Sequence, residues 1–167
     1  MMKKTIRLGI ALMGIGLSTM GTVHADGNTA NITATVTINT APCEINNNQT
    51  IDVNFGDSVV TTDVMAGRVE RPMNYTLNCS NADATKALKM RIAGNSTSFN
   101  ETLLLTTIPD LGVKIKANGA DYPINTDLTF SSGEAKPELV AVLTGKPGAR
   151  LPTGGFSAGA TMTVDYQ

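Results

Sequence analysis

Tryptophan is absent from the sequence, and aromatic residues make up only 4% of it. A core built from this chain must be packed with Val, Ile, Leu, Ala and Met, and the aromatic platform on which sugars commonly stack is missing. The single histidine, His24, lies within the first 25 residues. If that segment is removed, no Ser-His-Asp or Cys-His arrangement and no histidine metal ligand remains. There are two cysteines, Cys43 and Cys79, and no CxxC, GxSxG, P-loop or HExxH. Paired carboxylates of the glycosidase kind stay available, but any acidic surface offers them, so they single out no enzyme. The chain is therefore read as a protein without catalytic residues, metal or cofactor. Charge points away from nucleic acid as well. The net charge of −1 becomes −4 once Lys3, Lys4 and Arg7 are removed, leaving 10 positive and 14 negative residues and little to hold phosphates. The one long apolar run, Leu8 to Leu17, is too short to span a bilayer.

That run reads as the centre of a secretory signal. "MMKK" supplies the positive start, and Val23 and Ala25 stand at the −3 and −1 positions of a cleavage site after Ala25. A buried hydrophobic helix is the alternative. The expected division is a signal peptide at 1–25, an N-terminal extension at 26–38 and one domain at 39–167. In an oxidising compartment Cys43 and Cys79 should form a disulfide, contributing about 3–4 kcal/mol through loop closure. Two buried free thiols are the alternative. N-x-S/T sequons, such as "NIT" at 31 and "NST" at 95, read as Asn/Thr-rich surface and strand edges in an exported bacterial chain.

What the chain holds in quantity is β-formers and turn residues, with Gly 16 and Pro 7 spread along it. "TIDVNF" puts Ile51, Val53 and Phe55 on one face, and "PMNYTLNC" does the same with Met73, Tyr75, Leu77 and Cys79. "LKMRIA" aligns Leu88, Met90 and Ile92, "LGVKIKA" aligns Leu111, Val113, Ile115 and Ala117, and "ELVAVLTG" aligns Leu139, Ala141 and Leu143. "FGDS", "CSNAD", "AGNSTS", "KANGAD" and "GKPGARLPTGG" separate these runs. "SNADATKALK" offers at most one helical turn. Short alternating strands with such punctuation predict an antiparallel β-sandwich. The buried Trp of antibody-type domains is absent, so the match is to architecture only.

Both ends are unusual. "GNTANITATVTINTAPC" alternates Ala30, Ile32, Ala34, Val36 and Ile38 against Asn31, Thr33, Thr35, Thr37 and Asn39, beyond the common strand length of about 5–6 residues. "GGFSAGATMTVDYQ" puts Phe156, Ala158, Ala160, Met162, Val164 and Tyr166 on one face and runs to Gln167. Long exposed strands invite aggregation. Such strands either close a sandwich as its first and last members or join other chains.

On these residues the chain resembles the pilin subunits of chaperone–usher pili in Gram-negative bacteria. The resemblance covers all of residues 26–167. It rests on the signal, the alternating N-terminal segment, "APCEINNNQTIDVNFGD" with Cys43, the second cysteine in "YTLNCSN", and the ending, where Gly154 and the penultimate Tyr166 hold positions typical of the family. Family extensions often carry a mid-strand glycine, for which only Ala34 or a nearby Thr stands in here.

The resemblance implies an all-β, incomplete immunoglobulin-like β-sandwich that lacks its final strand. It implies an acceptor, chaperone-binding strand comprising Gly154, Phe156, Ala158, Ala160, Met162, Val164, Tyr166 and Gln167, bordering an open apolar groove. The terminal carboxylate of Gln167 would be held there by basic side chains. It implies a donor strand with Ala30, Ile32, Ala34 and Val36 facing a neighbour's groove. Its partners would be a periplasmic pilus chaperone, an outer-membrane usher and neighbouring subunits, with no nucleic acid and no cofactor. The chain would pass through the periplasm to a surface fimbrium, polymerised by donor-strand exchange. Residues 26–167 leave no room for a second, receptor-binding domain, which favours a minor or adaptor subunit. The alternative is a single-domain carbohydrate-binding pilus adhesin, against which the missing tryptophan weighs. A periplasmic hydrolase or inhibitor, monomeric and stable without a chaperone, is a further alternative.

Overall fold

The computed structural model describes residues 41–167. The signal peptide at 1–25 and the extension at 26–38, with the donor residues Ala30, Ile32, Ala34 and Val36, lie outside the described residues. The elements run β1 (Glu44–Ile45), α1 (Thr61–Met65), β2 (Glu70–Pro72), β3 (Leu77–Asn78), β4 (Ala87–Gly94), β5 (Leu104–Leu105), β6 (Leu111–Ala117), β7 (Ala120–Tyr122), β8 (Asp127–Ser131), β9 (Leu139–Gly145) and β10 (Ala160–Tyr166).

Alternation becomes strand wherever the two faces meet different surroundings. In β4, Leu88, Met90 and Ile92 are 0%, 0% and 2% exposed, while Lys89 and Arg91 occupy the opposite face and both reach Asp127 on β8. The same logic buries Leu111, Val113, Ile115 and Ala117 of β6 and Leu139, Ala141 and Leu143 of β9. All strand pairs are antiparallel. One sheet has the order β10-β4-β8, and the other β2-β9-β6-β5 with β7 folded back onto β6. The β6–β7 turn is "Asn-Gly": Asn118 and Gly119 have φ of 50° and 81°, the left-handed geometry this dipeptide adopts at least cost. β1 pairs with β3, and the Cys43–Cys79 disulfide ties the two together.

The core lies between the sheets. Its two buried tyrosines are both satisfied. Tyr75 donates its hydroxyl to Pro137 O at 2.6 Å, and Tyr122 donates to Met90 O at 2.8 Å. Burial raises both phenols, Tyr75 to about 12. The architecture is an all-β, immunoglobulin-like sandwich. It is incomplete at β10, whose second edge pairs with no strand among the described residues.

Four sequence expectations change. "PMNYTLNC" is strand only at Pro72, the end of β2, and at Leu77–Asn78, which is β3. "TIDVNF" is not a strand among the described residues: Ile51, Val53 and Phe55 do turn toward the core, but residues 50–59 donate no hydrogen bond to a described backbone carbonyl. The helix lies at Thr61–Met65, where no helical period was expected, with Val64 as its only buried residue. "SNADATKALK" instead makes two turns, closed by Ala82 N–H to Cys79 O and Lys86 N–H to Asp83 O, before β4 begins at Ala87.

Candidate functional site

The last strand is where the fold is left open. β10 pairs with β4 from Ala160↔Gly94 to Tyr166↔Leu88. Gln167 N–H extends the ladder to Ala87 O at 3.0 Å. The expected alternation holds from Met162 onward: Val164, opposite Met90, is 3% exposed, and Met162 and Tyr166 on the same face are partly buried, whereas Ala158 and Ala160, expected on that face, are exposed. Thr161, Thr163 and Asp165 are exposed.

The strand begins at Ala160, two residues later than the sequence suggests. β4 ends at Gly94, the partner of Ala160, so Ala158 has no continuation of β4 to pair with. Residues 157–158 are held by another segment instead. Ala158 forms an isolated antiparallel bridge with Thr106. Thr107 N–H donates to Ser157 O at 2.9 Å, and Ser157 N–H donates to Thr107 Oγ1 at 3.1 Å. Gly154, with φ of 131°, and Phe156 therefore belong to the irregular chain that leads into β10.

Across from this strand runs the extended segment 50–55. Two contacts bring the pieces together. Phe55 and Phe156 meet with ring centroids 5.9 Å apart at 45°, and β1, just before the segment, approaches β10. Ile51, Val53, Phe156, Met162 and Tyr166 are all partly buried hydrophobics packed on the core. In a closed sandwich such positions would be covered. Both flanking backbones, 50–59 and the outer edge of β10, keep their polar groups free of strand partners among the described residues. Half-buried apolar side chains between two backbones without strand partners among the described residues suit an extended peptide; we take this arrangement as a candidate groove, with these side chains as its floor and the two backbones as its rims.

The far end of β10 is pinned. Asp83 N–H donates to the Tyr166 hydroxyl at 2.9 Å, and Lys86 Nζ sits 5.0 Å from the Tyr166 ring centroid. Asp83 is itself held below the usual carboxylate range, chiefly by the Thr85 hydroxyl and then by the Thr85 backbone N–H. At the start of the second rim, the disulfide fixes Cys43 beside Cys79. Sequence reasoning missed the Phe55–Phe156 contact. The one available signal is scarcity: of four phenylalanines in the chain, Phe55 and Phe156 each adjoin a glycine, Gly56 and Gly155.

Comparison with known proteins agrees with this fold. The family model for fimbrial proteins matches residues 30–167. The fimbrial-like protein YfcR of Escherichia coli (strain K12) is 37% identical over 132 residues, covering 75% of this chain and 74% of that protein. YfcQ of the same organism is 31% identical over 129 residues, covering 75% and 79%. Among solved structures, the P pilus rod subunit PapA superposes with a TM-score of 0.58 at 23% identity, over 82% of this chain and all of that one. The P pilus adaptor subunit PapF gives 0.50 at 22% identity, over 75% and 96%. At these identities the structural likeness speaks for the fold.

Proposed function

Because this chain belongs to the fimbrial protein family and is a chaperone–usher type pilus subunit, we propose that the groove beside β10 receives a donor strand, first from a periplasmic chaperone and then from the extension of the next subunit at the outer-membrane usher. The observation that carries this reading is the pair of backbone rims without strand partners among the described residues, over a half-covered apolar floor. One inserted strand satisfies both rims and covers Ile51, Val53, Phe156, Met162 and Tyr166. Burying four or five apolar side chains of the incoming strand contributes roughly 1.5–3 kcal/mol each before ordering costs, which makes the joined state slow to dissociate without any nucleotide. The chain's role is structural and non-enzymatic. Its own donor strand is assigned to Ala30, Ile32, Ala34 and Val36. We assign it a minor or adaptor position in the fibre, a reading tested by subunit stoichiometry in sheared pili.

Deletion of residues 28–35 tests the exchange. The shortened subunit is expected to accumulate with its chaperone, because its own groove is intact, and to be lost from sheared pili, because it has nothing to place in a neighbour. Incorporation at the wild-type level would remove the donor role from this segment.

A further inference from the structure

One rim of the groove has no ladder among the described residues, yet its side chains alternate like those of a strand. Ile51, Val53 and Phe55 keep inward alternation while residues 50–59 donate no hydrogen bond to a described backbone carbonyl. The long side chain that reaches this backbone is Arg71 of β2. Its Nη2 donates to Phe55 O at 3.1 Å, sixteen residues away, and its Nη1 donates to Glu70 O at 2.8 Å. Arg68, lining the same cleft, pairs with Asp63 at 2.9 Å. Arg71 takes part in none of the ion pairs among the described residues; its planar fork is used on two carbonyls at once, which an ammonium holds less well. Phe55 in turn packs on Phe156. The cleft beside this contact, about 380 Å³ and lined by Phe55, Val59, Val69 and Arg71 among others, leaves the segment room to move if the hydrogen bond is lost.

We propose that Arg71 is a positioning residue of the groove: by holding Phe55 O it keeps the 50–55 rim extended and, through the Phe55–Phe156 contact, sets its spacing from the chain entering β10. A donor strand then meets two rims already in place, and less ordering is left to the moment of binding. This inference rests on the donor-strand reading above.

The test uses the full-length subunit purified from periplasm in complex with its chaperone, as wild type, Arg71→Gln, Arg71→Lys and Arg68→Gln. A synthetic peptide of residues 28–39 is the probe, and its displacement of the chaperone is followed over time. Arg71→Gln is expected to form the chaperone complex at reduced yield and to take up peptide about tenfold more slowly, the rate equivalent of one hydrogen bond to a charged group. Amide hydrogen exchange at residues 51–55 should quicken in the same variant. Arg71→Lys should fall between it and wild type. Arg68→Gln removes the same charge from the same cleft without touching Phe55 and should behave as wild type. Equal rates for wild type, Arg71→Gln and Arg68→Gln would overturn the inference. If Arg71→Gln does not accumulate, Arg71→Lys decides: a rate slower than wild type and Arg68→Gln supports the role, and a wild-type rate overturns it. A wild-type complex that takes up neither this peptide nor the N-terminal extension of any subunit that co-purifies with it in sheared pili refutes the donor-strand reading itself, and the inference with it.

Discussion

Removing the disulfide should damage the groove as well as the fold. Cys43 and Cys79 are 36 residues apart in sequence, and the loop they close contains the 50–55 rim, α1 and β2. Loop-closure entropy for this separation amounts to about 4 kcal/mol at 25 °C. What remains to hold β1 against β3 is a ladder of two residue pairs, Glu44↔Asn78 and Ile45↔Leu77. Against a typical domain stability of about 5–15 kcal/mol, this loss is a large fraction. For a folded unit of residues 41–167 it corresponds to a fall in melting temperature of roughly 15 °C. The perturbation is the double substitution Cys43→Ala with Cys79→Ala. The assay is thermal unfolding of the peptide-complemented subunit by circular dichroism, with reductant-treated wild type alongside. Both samples should melt early and by similar amounts. A shift of less than about 3 °C in either sample would show that β1, β3 and the core hold the rim without the crosslink, and would refute the reasoning.

Two further predictions contrast faces and charge states. Met162→Asp should abolish co-purification with the chaperone, because it places a carboxylate on the half-buried floor, whereas Thr163→Asp on the exposed face of the same strand should leave yield unchanged; equal yields would mean β10 is not read by a partner through its apolar face. Burial raises the folded-state pKa of Tyr75 from 10.0 to about 12 and that of Tyr122 in the same direction, so above pH 10 the unfolded chain releases protons that the folded chain keeps. Stability is therefore complete below pH 10 and falls between about pH 10 and 12; urea midpoints flat across that window would contradict the burial of these phenols.

Strands with one wet and one dry face were legible. The runs read from Leu88, Leu111 and Leu139 correspond to β4, β6 and β9, and the alternation of β10 is right apart from its start. The misses have physical causes. Alternation reports which face is buried, not whether a backbone partner exists, so 50–55 was read as a strand when only its side-chain pattern is strand-like. The five residues of α1 bury Val64 alone, too little for a helical period to show. β5 and β7, of two and three residues, are set by their pairing with β6 and not by their own pattern. Val142 falls on the outer face of β9 by alternation, yet it is 3% exposed. Its register neighbours are Lys114 and Glu70, and Glu70 is bridged to Lys116 at 3.7 Å. In the groove, the apolar floor of β10 could be read from the sequence. The Arg71–Phe55 hydrogen bond and the Phe55–Phe156 contact could not, since neither has a local signature and each depends on how distant segments meet.

The same geometry bears on why such a protein is not simply an aggregation hazard. An ordinary edge strand that gains a partner remains in a sheet with an edge, since the newcomer exposes a fresh row of N–H and C=O groups. A strand entering between β10 and the 50–55 rim has a backbone on each side, so it becomes a central strand and ends the recruitment. Each hydrogen bond adds only about 0.5–1.5 kcal/mol net, but two rims double the number made per residue ordered. The rims are held before the strand arrives: β10 by its ladder to β4 and by Tyr166, and the other rim by the disulfide and, on our proposal, by Arg71. Ordering the acceptor then takes little from the binding free energy, and the half-covered side chains of the floor supply the drive. A groove of this kind favours one well-matched strand and leaves no edge for the next.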